Sequence, residues 1–463
     1  MLAPVPDSDS LLEAFSRQRT AFERDGGLSP EARRAGLRTL RTVIKARSDD
    51  FAQTVAADFG GRSRHETLIA EIGVLLGAID HALPRLARWA KPERVAVGWR
   101  FWPARGRIMT QPLGVVGVLA PWNYPVQLAL MPVVAALAAG CRTLVKPSEL
   151  TPATAALLAD TLADSFAPEV LAAVTGGPEV AARMSRMPFD ALIFTGSGRV
   201  GRQVMAAAAE NLTPVVLELG GKCPAIVDET ADLDDAAASI MAGKLLNAGQ
   251  TCVAPDYVLV PRRLRQSFVE ACGAAASRLY PEPAGPDYSA IRGDAARQRL
   301  IRLQEGLQTV PLFPGTLEAP KLAPVAIIDP PDHCAVMREE IFGPLLPIIS
   351  YDTPDEAIRA VNARPRPLAL YWFGRDRARL GPILERTRSG GVAVNDTVVH
   401  AAIEALPFGG VGASGFGAYH GRAGFEAFTH RRAVLLQSRW SGTRFARPPY
   451  GALADRLLKL LLR

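Results

Sequence analysis

Two side chains in this 463-residue sequence combine a reactive chemical type with suggestive surroundings. Cys252 follows the polar turn Asn247-Ala248-Gly249-Gln250-Thr251 and precedes an apolar stretch. At such a break, nearby helix amides favour a thiolate, the nucleophilic form of cysteine. Glu218 lies in Leu217-Glu218-Leu219-Gly220-Gly221, directly after the run Pro214-Val215-Val216-Leu217. A carboxylate that follows a buried strand is costly to bury without a purpose. Each also has a plain structural reading, Cys252 as a small core residue and Glu218 as the partner of an arginine. A third feature is the glycine turn Phe194-Thr195-Gly196-Ser197-Gly198-Arg199-Val200-Gly201. Glycines between a strand and a helix let backbone N–H groups approach a phosphate, and the helix N-terminus favours negative charge. The spacing from Gly196 to Gly201 is Gly-x-x-x-x-Gly, which departs from the usual dinucleotide fingerprint. An ordinary strand-to-helix turn therefore stays open as its alternative.

The elements that must hold these residues follow from hydrophobic periodicity. The first ninety residues read as helical. Ser29-Pro30-Glu31 is a helix start, with Ser29 as N-cap and Pro30 at the first helical position. A second helical stretch runs from about Glu66 to Trp89, and Trp99 to Arg107 reads as an extended ribbon. From residue 112 short β-branched runs alternate with helices. Val115–Leu119, Thr143–Val145 and Ala191–Phe194 are strand runs; Leu128–Ala139, Thr151–Ser165 (capped by Thr151) and Gly201–Glu210 are helical. This alternation predicts a doubly wound parallel sheet, and a second series after residue 222 predicts another. Two α/β domains result, with no internal repeat.

Composition excludes several classes. Hydrophobic residues make up 48% and charged residues 21%, which rules out a disordered or fibrous chain. No apolar run approaches the roughly 18 residues of a membrane span. Met1 to Asp7 lacks the basic and apolar regions of a signal peptide, so the expected compartment is the cytoplasm. The net charge of +7 comes almost wholly from scattered arginine, with no dense block and no nucleic-acid motif, so no nucleic-acid partner is expected. The five cysteines form no Cys-x-x-Cys pair, so neither a disulfide framework nor a metal site is expected.

With Pro121-Trp122-Asn123-Tyr124-Pro125 added, the chain resembles the aldehyde dehydrogenase superfamily from roughly residue 10 to 440. The matching stretches, in order, are Pro121–Pro125, Lys146-Pro147-Ser148-Glu149, the Gly196–Gly201 turn, Leu217–Lys222, Gly249–Cys252, Glu339–Pro344 and Pro407–Gly410. Cys252–Leu259, Arg364–Tyr371, Val394–Thr397 and Gly417–Gly421 are similar to the branch of fatty, aromatic and coniferyl aldehyde dehydrogenases, and to the coniferyl type most closely. The resemblance implies two doubly wound Rossmann-like domains and a small β-ribbon for oligomerisation. Its domain boundaries would be 1–98 with 112–221 for the NAD-binding domain and 222–419 for the catalytic domain. The ribbon would take 99–111 and 420–440, leaving 441–463 as a C-terminal tail.

The same resemblance implies the roles. Cys252 matches the nucleophile that attacks an aldehyde carbon, Asn123 a donor to the resulting alkoxide, and Glu218 the base that activates water to hydrolyse a thioester. Lys146 and Glu149 match contacts to the adenosine ribose. Ser197 and the turn from Gly196 to Gly201 match pyrophosphate contacts. Trp122, Glu340 and Phe342 belong to the cofactor site, the last two at the nicotinamide end. A carboxylate at Glu149 accepts ribose hydroxyls and repels a 2′-phosphate, which favours NAD while leaving NADP open. Tyr124, Leu128 and Met131 would line an aldehyde tunnel, with ordinary core as the alternative for Leu128 and Met131. His400, His420 and His430 match no catalytic position and are assigned to structure. The implied activity is NAD(P)-dependent oxidation of an apolar or aromatic aldehyde, coniferyl aldehyde-like or medium to long chain, by a homodimer. The alternatives are acyl transfer to coenzyme A and a non-catalytic scaffold.

Two stretches depart from plain expectation. Residues 281–336 look shorter and richer in proline than the family's usual segment. Gly451 to Arg463 interleaves leucines with Arg456, Lys459 and Arg463. That pattern suits docking on the protein's own surface better than a membrane-surface helix.

Overall fold

The structure, a computed structural model, describes residues 8–441, 443 and 447–462. Met1 to Asp7, on which the leader reading rests, and Arg463 lie outside them, as do positions 442 and 444–446 of the expected tail.

Two large sheets form the molecule's frame. The first has six strands in the order Gly415–Phe416, Val215–Leu219, Ala191–Gly196, Val115–Leu119, Arg142–Lys146 and Leu171–Ala173. All pair in parallel except the short Gly415–Phe416, which runs antiparallel to Val215–Leu219 with Gly415 opposite Glu218. The second has seven strands in the order Thr309–Pro311, Val325–Ile328, Leu345–Tyr351, Tyr257–Pro261, Pro224–Val227, Ala369–Phe373 and Gly391–Val394. Only Thr309–Pro311 is antiparallel there. The strand Gly415–Phe416 thus joins the first sheet although the stretch around it was read with the second.

Strands buried on both faces need near-continuous apolar runs. Val115–Leu119 and Tyr257–Pro261 satisfy this, with every residue buried. The helix Gln127–Ala139 is likewise buried at every position, so it has no polar face to show. Ser29 caps the helix Pro30–Ala46 by accepting from Ala32 N–H, with Pro30 in the first turn. The helix Pro152–Ser165 is capped differently from the expectation. The Thr151 side chain makes no cap hydrogen bond. Instead Asp58, remote in sequence, accepts from the N–H groups of Ala153 (3.1 Å) and Thr154 (2.8 Å). A carboxylate suits those free amides and the helix dipole better than a hydroxyl.

The stretch from Glu66 to Trp89 is not one regular helix. A π-helical turn over Leu68–Gly73 separates Arg64–Thr67 from Val74–Ala82, and a short helix Leu86–Trp89 follows. The helix read as starting at Gly201 begins at Gly198, with Ser197 as its cap. The ribbon is a three-stranded antiparallel sheet of Glu93–Val95, Arg105–Pro112 and Thr429–Leu436. Trp99–Phe101 is a 3₁₀ turn rather than extended chain, and Gly421–Ala427 is helical. Trp99, Trp102 and Leu435 stand exposed beside this ribbon. In the tail, Ala452–Leu461 is a helix that buries Ala454 and exposes Leu453 and Leu458. Among the described residues no helix is long and apolar enough to cross a membrane, and no acid, histidine or cysteine cluster is arranged to hold a metal ion.

Candidate active site

A cavity of about 1240 Å³ opens at the carboxyl ends of the first sheet's strands and is closed from the far side by residues of the second unit. Ligands in open parallel sheets bind at that end. Cys252, Glu218 and Asn123 all line it, although 129 residues separate the first from the last.

The turn that precedes Cys252 is held in a conformation that side chains resist. Asn247 (φ 52°), Ala248 (φ 50°) and Gly249 (φ 78°) are consecutively left-handed. Each non-glycine residue there costs on the order of 1–3 kcal/mol, met by the surrounding contacts. A Cβ at Gly249 would lie 2.4 Å from the Gly343 carbonyl oxygen, so only glycine fits. Gln250 fastens the turn: its side-chain amide donates to the carbonyls of Asn247 (3.0 Å) and Ala290 (2.9 Å), and its Oε1 accepts from Arg292 N–H (2.9 Å). Asn123 Nδ2 donates to Gln250 O at 3.1 Å. Its second amide proton is left for another acceptor. Thr251 Oγ1 meets the Tyr124 hydroxyl at 2.7 Å, a second tie between the two turns.

Glu218 is the fourth residue of the strand Val215–Leu219, so it extends from the sheet rather than following it. It is 2% exposed, and neither carboxylate oxygen has a hydrogen-bond partner of ordinary geometry. Buried carboxylates without partners are rare and call for a functional reason. Burial pushes its pKa well up, and only the nearby Gly410 amide opposes the shift. The alternative of an arginine partner is therefore excluded: no salt bridge reaches Glu218 among the described residues.

Burial also pushes the Cys252 thiol up to about 12, with the nearby carboxyls of Glu340 and Glu218 adding to the rise. The N–H groups of Cys252 and Val253 pull the other way and are outweighed. The expectation of a thiolate favoured by helix amides is thus corrected: in this setting the sulfur holds its proton at neutral pH. Alkylation of Cys252 by iodoacetamide, without added cofactor, is expected to be slow at pH 7 and to rise about tenfold per pH unit up to pH 10. A rate that is already flat above pH 7 would contradict it.

The remaining residues separate into those on the cavity and those behind it. Trp122, Lys146, Glu149, Gly196, Ser197, Glu340 and Phe342 line the cavity. Lys146, at the end of its strand, is buried and paired with Glu149. Ser197 Oγ accepts from Val200 N–H (3.4 Å) at the helix start. Glu340 accepts from Gly221 N–H at 3.1 Å, and burial with Asp256 nearby pushes it up to about 8. Phe342, itself left-handed at φ 51°, meets Trp122 edge-on with ring centroids 5.5 Å apart. Gly201 does not line the cavity. A Cβ there would lie 2.7 Å from Leu219 Cδ2, so it lets the helix seat on the strand. Tyr124 and Leu128 line the cavity, whereas Met131 is 1% exposed within the core beneath. Three residues on, Met131 stands about 60° round from Leu128 and about 4.5 Å further along the helix, which places it beneath the cavity.

His420 lines the cavity with neither ring nitrogen bonded and is stacked on Phe408. Burial lowers it to about 4, so it is neutral and packs as an aromatic wall. His400 is half-buried against Tyr371 and His430 lies on the ribbon strand.

Sequence reading missed Arg62, Glu66 and Glu71, which reach the turns that carry Asn123 and Cys252. Arg62 Nη1 donates to Asn123 O (2.9 Å), and Glu66 Oε1 accepts from Asn247 N–H (3.1 Å). The available signal was an acid, Glu71, beside the apolar stripe Leu68, Ile72, Leu75 and Ile79.

Comparisons with known proteins point to one family. The family model described as "Aldehyde dehydrogenase family" matches residues 3–434. A Pseudomonas aeruginosa protein named "Probable coniferyl aldehyde dehydrogenase" is 46% identical, covering 98% of this chain and 96% of its own. A "Coniferyl aldehyde dehydrogenase" from a Pseudomonas species is 42% identical, covering 99% and 98%. A solved structure described as "Substrate bound state of Staphylococcus Aureus AldH" superposes with a TM-score of 0.93 at 35% identity, covering 98% and 99%.

Proposed function

Because the chain belongs to the aldehyde dehydrogenase family, we propose that it oxidises aromatic aldehydes of the coniferyl aldehyde type, and apolar alkanals less well, to carboxylic acids with NAD. The observation that carries this reading is the meeting of Cys252, the unpartnered Glu218 and Asn123 on one cavity with a wall of Tyr124, Leu128, Phe408 and Tyr419.

The cavity's other end suits a dinucleotide. Ser197 and the helix start at Gly198 stand at the carboxyl end of Ala191–Gly196, where a pyrophosphate is favoured. Gly220 has no Cβ, and one placed there would strike the Glu340 carboxylate at 2.1 Å. Lys146 and Glu149 supply a donor and an acceptor for ribose hydroxyls, and the Glu149 carboxylate supports NAD over NADP. The bound nicotinamide supplies the hydride acceptor.

The chain's own groups do the rest. Cys252 gives its proton to solvent water, and its sulfur bonds the aldehyde carbon as the carbonyl π bond opens, giving a thiohemiacetal alkoxide. Asn123 Nδ2 and the Cys252 N–H stabilise the alkoxide. After the hydride has left, a thioester remains on Cys252. Glu218 takes a proton from water, which attacks the thioester carbon and releases the acid and the thiol. All five cysteines are unpaired, which accords with a reducing compartment such as the cytoplasm. The exposed apolar residues of the ribbon support a homodimer formed there.

The test is absorbance of reduced nicotinamide with coniferyl aldehyde, benzaldehyde and a medium-chain alkanal, each with NAD or NADP. The reading expects aromatic aldehydes with NAD to give the highest kcat/KM. Turnover only upon addition of coenzyme A would replace water by that acceptor.

A further inference from the structure

The two catalytic turns come from different units of the fold, so something must hold their separation constant. The segment from Arg62 to Glu71 reaches both. Arg62 is fully buried, donates to the Asn123 carbonyl at 2.9 Å, and pairs with Glu71 Oε1 at 3.1 Å. Glu71 Oε2 accepts from the N–H groups of Val126 (2.8 Å) and Gln127 (3.1 Å), the start of the buried helix that follows Asn123. The turn bearing Asn123 is therefore gripped at its carbonyl and at the amides just beyond it. Glu66 reaches the other turn, accepting from Asn247 N–H, and is itself fixed by Ser289 Oγ at 2.6 Å. Asn247 Nδ2 then donates to the same Asn123 carbonyl that Arg62 holds (3.0 Å).

Two features separate this arrangement from ordinary packing. The guanidinium lies over the rings of Tyr124 (4.6 Å) and Phe59 (5.0 Å), and its Nε and Nη2 make no hydrogen bond. Unpaired buried donors weaken a fold, so stability alone does not explain an arginine here. Glu71 sits inside the π-helical turn Leu68–Gly73, an irregularity common at functional sites.

We propose that Arg62, Glu66 and Glu71 are positioning residues that set the distance between the two oxyanion donors, Asn123 Nδ2 and the Cys252 N–H. The inference rests on the reading of Asn123 as an oxyanion donor. None of the three lines the cavity, so they act through the turns they hold. A displaced donor is worth little to the developing alkoxide, while aldehyde binding is unchanged.

The experiment is a double-mutant cycle on the full-length enzyme with benzaldehyde and NAD. Arg62→Met is expected to lower kcat by about 100-fold with the KM for aldehyde within about twofold. In an Asn123→Ala background the same substitution is expected to cost less than about threefold, because the donor it places is gone. Removing one partner of a buried ion pair strands the other, so Arg62→Met risks misfolding. Arg62→Lys keeps the charge opposite Glu71 but lacks the planar fork. It is expected to lose about tenfold in kcat, again only when Asn123 is present. Equal losses in both backgrounds, or a lowered melting temperature with kcat intact, would overturn the proposal. Full activity of Asn123→Ala alone would instead show that the oxyanion reading fails, and the proposal with it.

Discussion

Replacing Cys252 by alanine is expected to lower aldehyde oxidation by on the order of 10⁴-fold or more in kcat. Without the sulfur no thiohemiacetal forms, and the remaining donors have no tetrahedral alkoxide to stabilise. No neighbouring thiol substitutes for it. Cys223 lies close, its Sγ 3.4 Å from the Cys252 carbonyl oxygen, but it is fully buried and burial pushes its pKa well up. Cys141 and Cys272 are buried too. The alanine side chain fits within the space of the thiol, so folding and NAD affinity are expected to be retained. Steady-state reduced nicotinamide formation beside a cofactor-binding titration checks both halves. Turnover within tenfold of the natural protein would remove Cys252 from the mechanism.

Glu218→Gln is expected to have the next largest effect, a loss of about 10²–10⁴ in steady-state kcat. The substitution keeps shape and removes the base. Acylation does not need that base for water, so a burst of about one reduced nicotinamide per subunit is expected before the slow phase. The pH dependence follows from the direction of the shift. Burial raises the Glu218 pKa, so the base form appears at higher pH than for a free carboxyl and grows as pH rises. Hydrolysis by the natural protein therefore climbs as pH rises through that raised pKa, and that limb is expected to vanish in Glu218→Gln. A variant with no burst and an unchanged pH limb would place Glu218 elsewhere in the reaction.

How far the sequence revealed this molecule depends on how local each feature is. The strands Val115–Leu119 and Ala191–Gly196 were legible because doubly buried strands must be apolar runs, and Ser29 was legible because a cap acts within three residues. The Asp58 cap was not, since its partners lie 95 and 96 residues away. The left-handed run at Asn247 and Ala248 carries no local signal either, because these residues adopt it only under restraint from Glu66, Gln250 and Asn123. The motif residues Cys252, Glu218 and Asn123 were found by family resemblance. Their pKa directions needed the cavity, because burial by distant walls outweighs the local amides at Cys252. Gly201 and Met131 show the converse: a motif position and a helical spacing put them near the site, and packing turned them away from it.

The central claim is that an acyl group passes through Cys252 and waits on Glu218 for water. Mass spectrometry of Glu218→Gln, quenched in acid during the burst with benzaldehyde and NAD, tests it most directly. A benzoyl adduct on the peptide bearing Cys252, equal in amount to the burst of reduced nicotinamide, is the predicted result. Reduced nicotinamide formed with no adduct, or with the acyl group on another residue, would contradict the account.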